Sequence, residues 1–467
     1  MALRMAQRRD LALLVAGMGL SAIGTHVTFI ALPFHLRHGG PYVISALMMA
    51  SLIPVALGGP VAGWLVDRFP NRRMTVWTQL VAAGAAIGLV FALDTLPLVL
   101  LLLFVIGSTA AVTSPAVSAL LPRLTGEDEA TRGYSWLATA RSIGTLAGLG
   151  LGGALASGPG VRVALVVDAV SFLVLAAALR AVGAERDPRR EASDATQKGA
   201  QQRGFASAMA GLRWLRDDRV LFAAIVGFGV AVLLAVLINV ADVYFVTEVL
   251  RAGGLAYGVI AASWAVGMIA GARLAGTLRT DRSLAAGLFG CGVAIGAVLL
   301  VPAAFPSVPV TVACWLIGGA CNAVQNVAIQ GLVRSRVPDE LRGRAFAGMN
   351  SAVVTANVLG TFAGGPATAT LGPRLVFVTA GIGTAISAAI ALAVVLPRLG
   401  AGTAATPAAT PAATPAVTVS VRPAATRDPV PAAPMDPPGA VVRAPIRPRQ
   451  ENLGRHVDPA GPRSTRQ

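Results

Sequence analysis

Twelve apolar stretches between Leu11 and Leu396, each near the length of a bilayer crossing, restrict this chain more than any motif does. A hydrocarbon core about 30 Å thick takes about 20 apolar residues of helix, at a rise of about 1.5 Å each. Lipid offers no partner to a backbone N–H or C=O, so a crossing segment is a helix or part of a closed barrel. These stretches are runs of Ala, Leu, Val and Gly without the alternate-residue pattern of a barrel strand. The expected class is therefore an all-α membrane protein. Composition agrees: 13% of the residues are charged, against about 25% in a soluble domain.

The net charge of +16 is carried by arginines in loops and tail, and Lys198 is the only lysine. In a membrane chain this points to positive-inside loops, not to nucleic acid. Cys291, Cys314 and Cys321 all fall in apolar stretches, without CxxC spacing or paired histidines, so neither a disulfide framework nor a metal site is expected. There is no Walker A loop, HExxH or GxSxG. No cofactor and no enzymatic activity are expected. The first stretch is too long for a signal-peptide core and is read as retained.

The expected crossings are 11–34, 41–66, 74–94, 97–121, 134–158, 161–181, 220–245, 255–278, 284–304, 308–333, 345–370 and 374–396. One set of loops carries Arg4, Arg8, Arg9, Arg68, Arg72, Arg73, Arg123, Arg132, Arg279, Arg282, Arg334, Arg336, Arg342 and Arg344. The alternate loops carry only Arg37, Arg162, Arg251 and Arg374. This asymmetry places both termini in the cytoplasm. Residues 1–181 then form one six-helix bundle and 220–396 a second. The connection 182–219 is a cytoplasmic linker, and its segment 204–216 has the spacing of an amphipathic helix lying at the interface. The Pro- and Ala-rich tail 397–467 cannot bury a core and is expected to be disordered.

The bundles repeat. TRGYSWLATARSIGTLAG at 131–148 aligns with AGMNSAVVTANVLGTFAG at 347–364, sharing Ser135/Ser351, Thr139/Thr355, Gly144/Gly360, Thr145/Thr361 and Gly148/Gly364. These lie at equivalent points of the two halves, in crossings five and eleven. Parallel six-helix repeats around a central site are an architecture of secondary transporters.

Two motifs carry a family resemblance. Gly63-Trp-Leu-Val-Asp67-Arg68-Phe-Pro-Asn-Arg72-Arg73 follows the second crossing, and Gly144-x3-Gly148-Leu149-x2-Gly152-Gly153 lies in the fifth. The first resembles the cytoplasmic signature of the major facilitator superfamily, and the second is similar to the antiporter signature of that superfamily's drug exporters, with Leu149 in place of a proline. VPDELRGRA at 337–345, Leu121-Pro122 and Asp168-Ala-Val-Ser-Phe172 look like its macrolide-efflux and siderophore-exporter branch. The resemblance implies twelve helices in two pseudo-symmetric bundles. Gly63, Asp67, Arg68, Arg72 and Arg73 would form a cytoplasmic latch between them. Gly144, Gly148, Gly152, Gly153, Gly360 and Gly364 would give close-packed gate helices that slide. Two features depart from the pattern: Ser21-Ala-Ile-Gly24 is followed by Thr25 and His26 where relatives often carry an acid, and residues 97–121 hold no arginine.

Asp168 and Asp242 are the acids that fall inside crossings and not at a terminal residue, and such groups face a cavity or a partner. In the family fold, crossings one, four, seven and ten line the cavity. His26 and Asp242 are therefore the candidate proton-coupling groups. Asp168 is expected to tie helices together, and Arg141 is expected to be a structural polar residue that snorkels to the interface. Asn322, Asn326 and Gln330 recur every four residues in crossing ten, with Gln325 beside them, and are candidates for substrate binding. The function these observations imply is export of an amphipathic small molecule, such as an antibiotic, drug or siderophore, across the cytoplasmic membrane. Protons would be the coupling ion, and a monomer in the lipid bilayer the working unit. A metabolite importer or uniporter, and a transporter-like sensor or immunity protein that binds without flux, stay open as alternatives. The orientation is testable directly: single cysteines within 182–203 and at the 305–307 turn should label from opposite sides of the membrane, and same-side labelling would overturn it.

Overall fold

The computed structural model describes residues 2–125, 129–158, 160–183 and 218–401. All regular structure among them is helical: α1 (Ala2–Leu36), α2 (Pro41–Leu57), α3 (Gly59–Arg68), α4 (Asn71–Ala92), α5 (Leu96–Thr125), α6 (Ala130–Ser157) and α7 (Val161–Ala181) make the first half. The second half contains α8 (Arg219–Val236), α9 (Ile238–Tyr244), α10 (Gly254–Ala275), α11 (Asp281–Ala304), α12 (Val308–Arg336), α13 (Asp339–Leu371) and α14 (Pro373–Ala401). The expected linker helix at 204–216 and nearly all of the expected tail lie outside the described residues. The final helix runs to Ala401, five residues beyond the boundary expected at Leu396.

Nine helical segments among the described residues are long and apolar enough to cross a membrane, and the bent pair α2–α3 makes ten. The other two expected crossings are α6 and α13. Both are long enough, but they carry Arg141, Asn357 and many Gly, Ser and Thr residues. They are the helices of the sequence repeat, and their polarity reflects a place beside the cavities described below. The second crossing bends by 56° between Leu57 and Val61, where Gly58-Gly59-Pro60 interrupts it. The seventh is broken at Leu237 and ends in a π-helical turn, Phe245–Val249. Outward-facing apolar side chains such as Phe91, 82% exposed, and Trp77, 68% exposed, suit a hydrocarbon solvent.

Helix ends explain themselves chemically. Gly40, Gly160 and Gly372 have φ of 89°, 90° and 77°, the left-handed region, and each immediately precedes a helix start on the arginine-poor face. On the arginine-rich face, the Asp218 carboxylate caps α8 by accepting from the Val220 and Leu221 N–H groups at 2.9 and 3.1 Å. It also accepts from Arg336 Nε at 2.8 Å, and Arg336 reaches Asp281 at 3.3 Å. One guanidinium therefore joins the ends of α8, α11 and α12. No sequence signal marked this cluster.

The apolar cores show how the halves relate. Toward the arginine-poor face a single buried core spans both halves, with Val27, Ile30 and Leu149 from the first and Tyr244, Tyr257 and Trp315 from the second. Phe377 stacks between Phe245, at 4.2 Å, and Trp315, at 5.7 Å. Toward the arginine-rich face each half has its own core, Leu14, Leu120 and Leu179 in the first and Leu221, Leu288 and Leu332 in the second.

Burial pulls the Asp218 carboxyl upward, but its bonds from Arg336, Leu221 and Val220 outweigh that and hold it below the usual carboxylate range. A depressed folded-state value stabilises the fold above the unfolded carboxylate range, and that contribution is lost as pH falls through the folded value. Asp218→Ala should cost about 1–3 kcal/mol at neutral pH. The gap in melting temperature from wild type should close as pH falls below the usual carboxylate value of about 4. A gap that persists in acid would contradict this.

Candidate functional site

Glycine places the helices that form the site. A Cβ on Gly144, Gly148 or Gly152 would lie 2.3, 2.5 or 2.9 Å from the carbonyl oxygens of Gly19, Ile23 and Val27 in α1. One on Gly360 or Gly364 would lie 2.5 or 2.7 Å from those of Leu233 and Leu237. These five glycines seat α6 on α1 and α13 on the seventh crossing, each within its own half. They do not line a sliding surface between halves, as the motif led us to expect. Only Gly153 of the six works across the halves: its Cβ would lie 2.6 Å from the Gly254 oxygen and 2.7 Å from Gly258 Cα in α10. Gly365, which the motif did not single out, does the same against Ser45 of α2.

Around these two approaches the halves are fastened at the arginine-poor end. Ser45 Oγ donates to the Thr361 carbonyl at 3.1 Å. The Leu255 N–H donates to Ser157 Oγ at 2.7 Å. Tyr244 donates its hydroxyl to the Arg37 carbonyl at 2.8 Å, and Phe34 stacks on Tyr257 with ring centres 6.4 Å apart. At the other end Asp67, Arg68 and Arg73 of the expected latch are exposed. Arg72 donates to the Val182 carbonyl at 2.6 Å within its own half. Nothing lies within 4 Å of a Cβ placed on Gly63, so that glycine serves no close helix contact in this state.

Beneath the fastened end are three cavities. A lobe of about 200 Å³ lies within the first half, lined by Ser21, Thr25, His26, Gln79, Thr113 and Arg141 among others. A lobe of about 270 Å³ lies within the second half, with Asn239, Asn322, Gln325, Asn326, Asn357 and Thr384 on its wall. Between the halves, a cavity of about 380 Å³ shares Thr25 with the first lobe and Asn239 and Asn357 with the second. Most of its remaining wall is apolar, including Phe29, Leu47, Met48 and Leu103. An enclosed apolar space with a few convergent polar groups is the usual form of a small-molecule site.

The sequence-expected polar residues separate on this map. His26 lines the first lobe, with Nδ1 2.8 Å from the Ala22 carbonyl oxygen and Thr145 Oγ1 3.4 Å from its Nε2. Arg141 lines the same lobe, so the expectation that it snorkels to the interface is corrected: its helix turns it toward the cavity. Asp168, 2% exposed, accepts from Thr28 Oγ1 at 2.8 Å and borders the central cavity, tying α7 to α1. Gly24 leaves room for it, since a Cβ there would lie 2.8 Å from Asp168 Oδ1. Asp242 lies in the broken seventh crossing, half-buried, with an Oδ1 that has no partner; it lines none of these cavities. Asn322 and Asn326 line the second lobe, where Asn326 Nδ2 donates to the Asn322 carbonyl at 2.9 Å. Gln325 is committed to the Leu288 carbonyl, also at 2.9 Å, while Gln330 is exposed and lines none of the three. Sequence reasoning missed Asn239 and Asn357. The signal for Asn357 was present, because in the repeat it stands opposite Arg141.

The comparisons with known proteins agree with this geometry. A sequence model described as Major Facilitator Superfamily matches residues 11–305 and 281–447. An uncharacterized MFS-type transporter, YfiS of Bacillus subtilis, is 25% identical over 80% of this chain and 90% of its own. The multidrug efflux pump Tap of Mycolicibacterium fortuitum is 25% identical over 84% of this chain and 97% of its own. Macrolide efflux protein A of Streptococcus pyogenes is 31% identical, over 26% of this chain and 32% of its own. Among solved structures, a bacterial homologue of the iron transporter ferroportin in an inward-facing state superposes with a TM-score of 0.63 at 18% identity, covering 84% of this chain and 98% of that one. The nucleoside transporter NupG does so at 0.66 and 12%, covering 84% and 99%.

The backbone approach at Gly153 yields a test. Gly153→Ala cannot be accommodated by side-chain movement, because the atoms in its way are backbone, whereas Gly150→Ala on the same helix meets nothing within 4 Å. With a cysteine at Met48 as reporter, Gly153→Ala should raise labelling by an impermeant thiol reagent applied to the arginine-poor face. Gly150→Ala should leave it at the parent level. Equal labelling of the two would show that this contact does not hold the halves together.

Proposed function

The chain belongs to the major facilitator superfamily, and from that premise we propose that it exports an amphipathic small molecule from the cytoplasm by alternating access, coupled to proton influx. The observation that carries the reading is the asymmetry of the two ends: one core and four cross-half contacts at the arginine-poor end, and separate cores at the other. With both termini in the cytoplasm, this is the state whose cavities open inward. Export as the direction draws support from the relatives whose names describe efflux. The apolar wall of the central cavity suits an amphipathic ligand and weak selectivity. The latch at Asp67 and its arginines engages in the opposite state, when the arginine-rich ends meet.

Cells that express the protein should accumulate less of its substrate. Increased accumulation would establish an importer, and binding in liposomes without flux a sensor. For coupling, His26 borders the first lobe and Asp242 leaves a buried oxygen unpaired in a broken helix. Asp242→Asn or His26→Gln should weaken proton-driven flux in proteoliposomes while sparing counterflow exchange, which needs no net proton movement. Wild-type pH dependence in both variants would remove them from the coupling mechanism. Asp67→Asn should lower flux strongly at near-normal expression.

A further inference from the structure

The ionisable groups around the three cavities are unevenly distributed. Of the residues lining them, only His26, Arg141 and Asp168 can carry charge. Asp168 is almost wholly buried, with one carboxyl oxygen committed to Thr28. The lobe in the second half presents amides and a hydroxyl and no ionisable group. Arg141 is different: it is exposed into its lobe, and no hydrogen bond or ion pair joins its guanidinium to any described residue. In the cycle proposed above, the amide lobe of the second half closes over this lobe. That removes water from a guanidinium while supplying no carboxylate, and a buried cation is tolerated only when an anion reaches it. Its planar set of five donors matches a carboxylate or similar oxyanion in a bidentate pair.

The facing groups define the rest of a ligand. Asn239 is exposed into both the second lobe and the central cavity. Asn357 donates its Nδ2 to the Val353 carbonyl at 2.9 Å, which leaves Oδ1 to accept. Arg141 and Asn357 are the repeat's counterparts, so pseudo-symmetry sets a cation on one wall against a neutral amide on the other. Phe29, Leu52 and Val55 supply an apolar wall beside Asn239 and Asn357. We propose that the substrate is an amphipathic organic anion, its carboxylate or like oxyanion held by Arg141 and its far polar end hydrogen-bonded by Asn239 and Asn357. The assignment deepens the export reading, and binding can be measured without flux.

Three fluorescent dansyl probes of similar size and different charge test it on the full chain in phosphatidylcholine nanodiscs: dansylglycine, its neutral amide, and the ammonium probe dansylethylenediamine. Protein-free nanodiscs supply the background. The carboxylate should bind about tenfold more tightly than the ammonium probe. Arg141→Gln should abolish that order, and Arg141→Glu should invert it. Asn239→Leu should weaken all three alike. Equal affinities in wild type, no binding of any probe, or an order unchanged by Arg141→Gln would each overturn the proposal. Should either arginine variant misfold, the wild-type order decides alone. Phosphatidylglycerol that displaces dansylglycine in an Arg141-dependent way would make a lipid headgroup the bound anion and overturn the assignment to a solute. A preserved carboxylate preference without any flux in proteoliposomes would overturn the export reading and leave the site standing.

Discussion

Close approach between the halves, backbone against backbone at Gly153, is what brings them together at the arginine-poor end. Gly153 meets the backbone of Gly254 and Gly258, and Gly365 meets the side chain of Ser45, at separations that admit no extra carbon atom. Interfaces in lipid gain little from the hydrophobic effect, because the solvent is itself apolar; they gain from close van der Waals packing and from hydrogen bonds. Both are present here within a short depth of the membrane: the glycine contacts sit beside the bonds from Ser45, Leu255 and Tyr244. An interface of this kind can be given up and remade at modest cost, which a carrier requires of its gates.

The internal repeat organises the remainder. In both halves a glycine series presses a long helix against the crossing that opens the bundle, and in both a polar lobe forms beside that contact. The lobes then differ in chemistry. One holds Arg141 and His26, and the other holds amides. The equivalent backbone positions Arg141 and Asn357 thus carry different groups, which on our proposal grip one amphipathic molecule from two sides. The Arg336 cluster with Asp218 and Asp281 plays a different part, tying together three helix ends of the second half.

Much of this was legible in the sequence. Long apolar runs give helices and their order because lipid leaves the backbone few options. The repeat gives pseudo-symmetry. The glycine spacing announced close packing, but not its partner: which face a helix turns to which neighbour is a tertiary property, so Gly144, Gly148 and Gly152 belonged to α1 and the unremarked Gly365 to the gate. Amide spacing in α12 singled out Asn322 and Asn326, which line the second lobe, yet Gln325 is consumed by the Leu288 carbonyl. Asn239 was illegible because an isolated amide in an apolar run has no periodicity to reveal it. Arg141 looked like an interfacial anchor because linear position cannot distinguish the lipid side of a helix from its cavity side.

In the proposed cycle the two halves close alternately at their two ends. Spin-label pairs across the halves test it most directly, one at His38 and Arg251 on the arginine-poor face and one at Phe69 and Gly343 on the arginine-rich face. In nanodiscs titrated with acid, the distance distributions of the two pairs should change in opposite senses, the first lengthening as the second shortens. Distances that lengthen or shorten together, or a second pair that never approaches while the first one opens, would contradict the account.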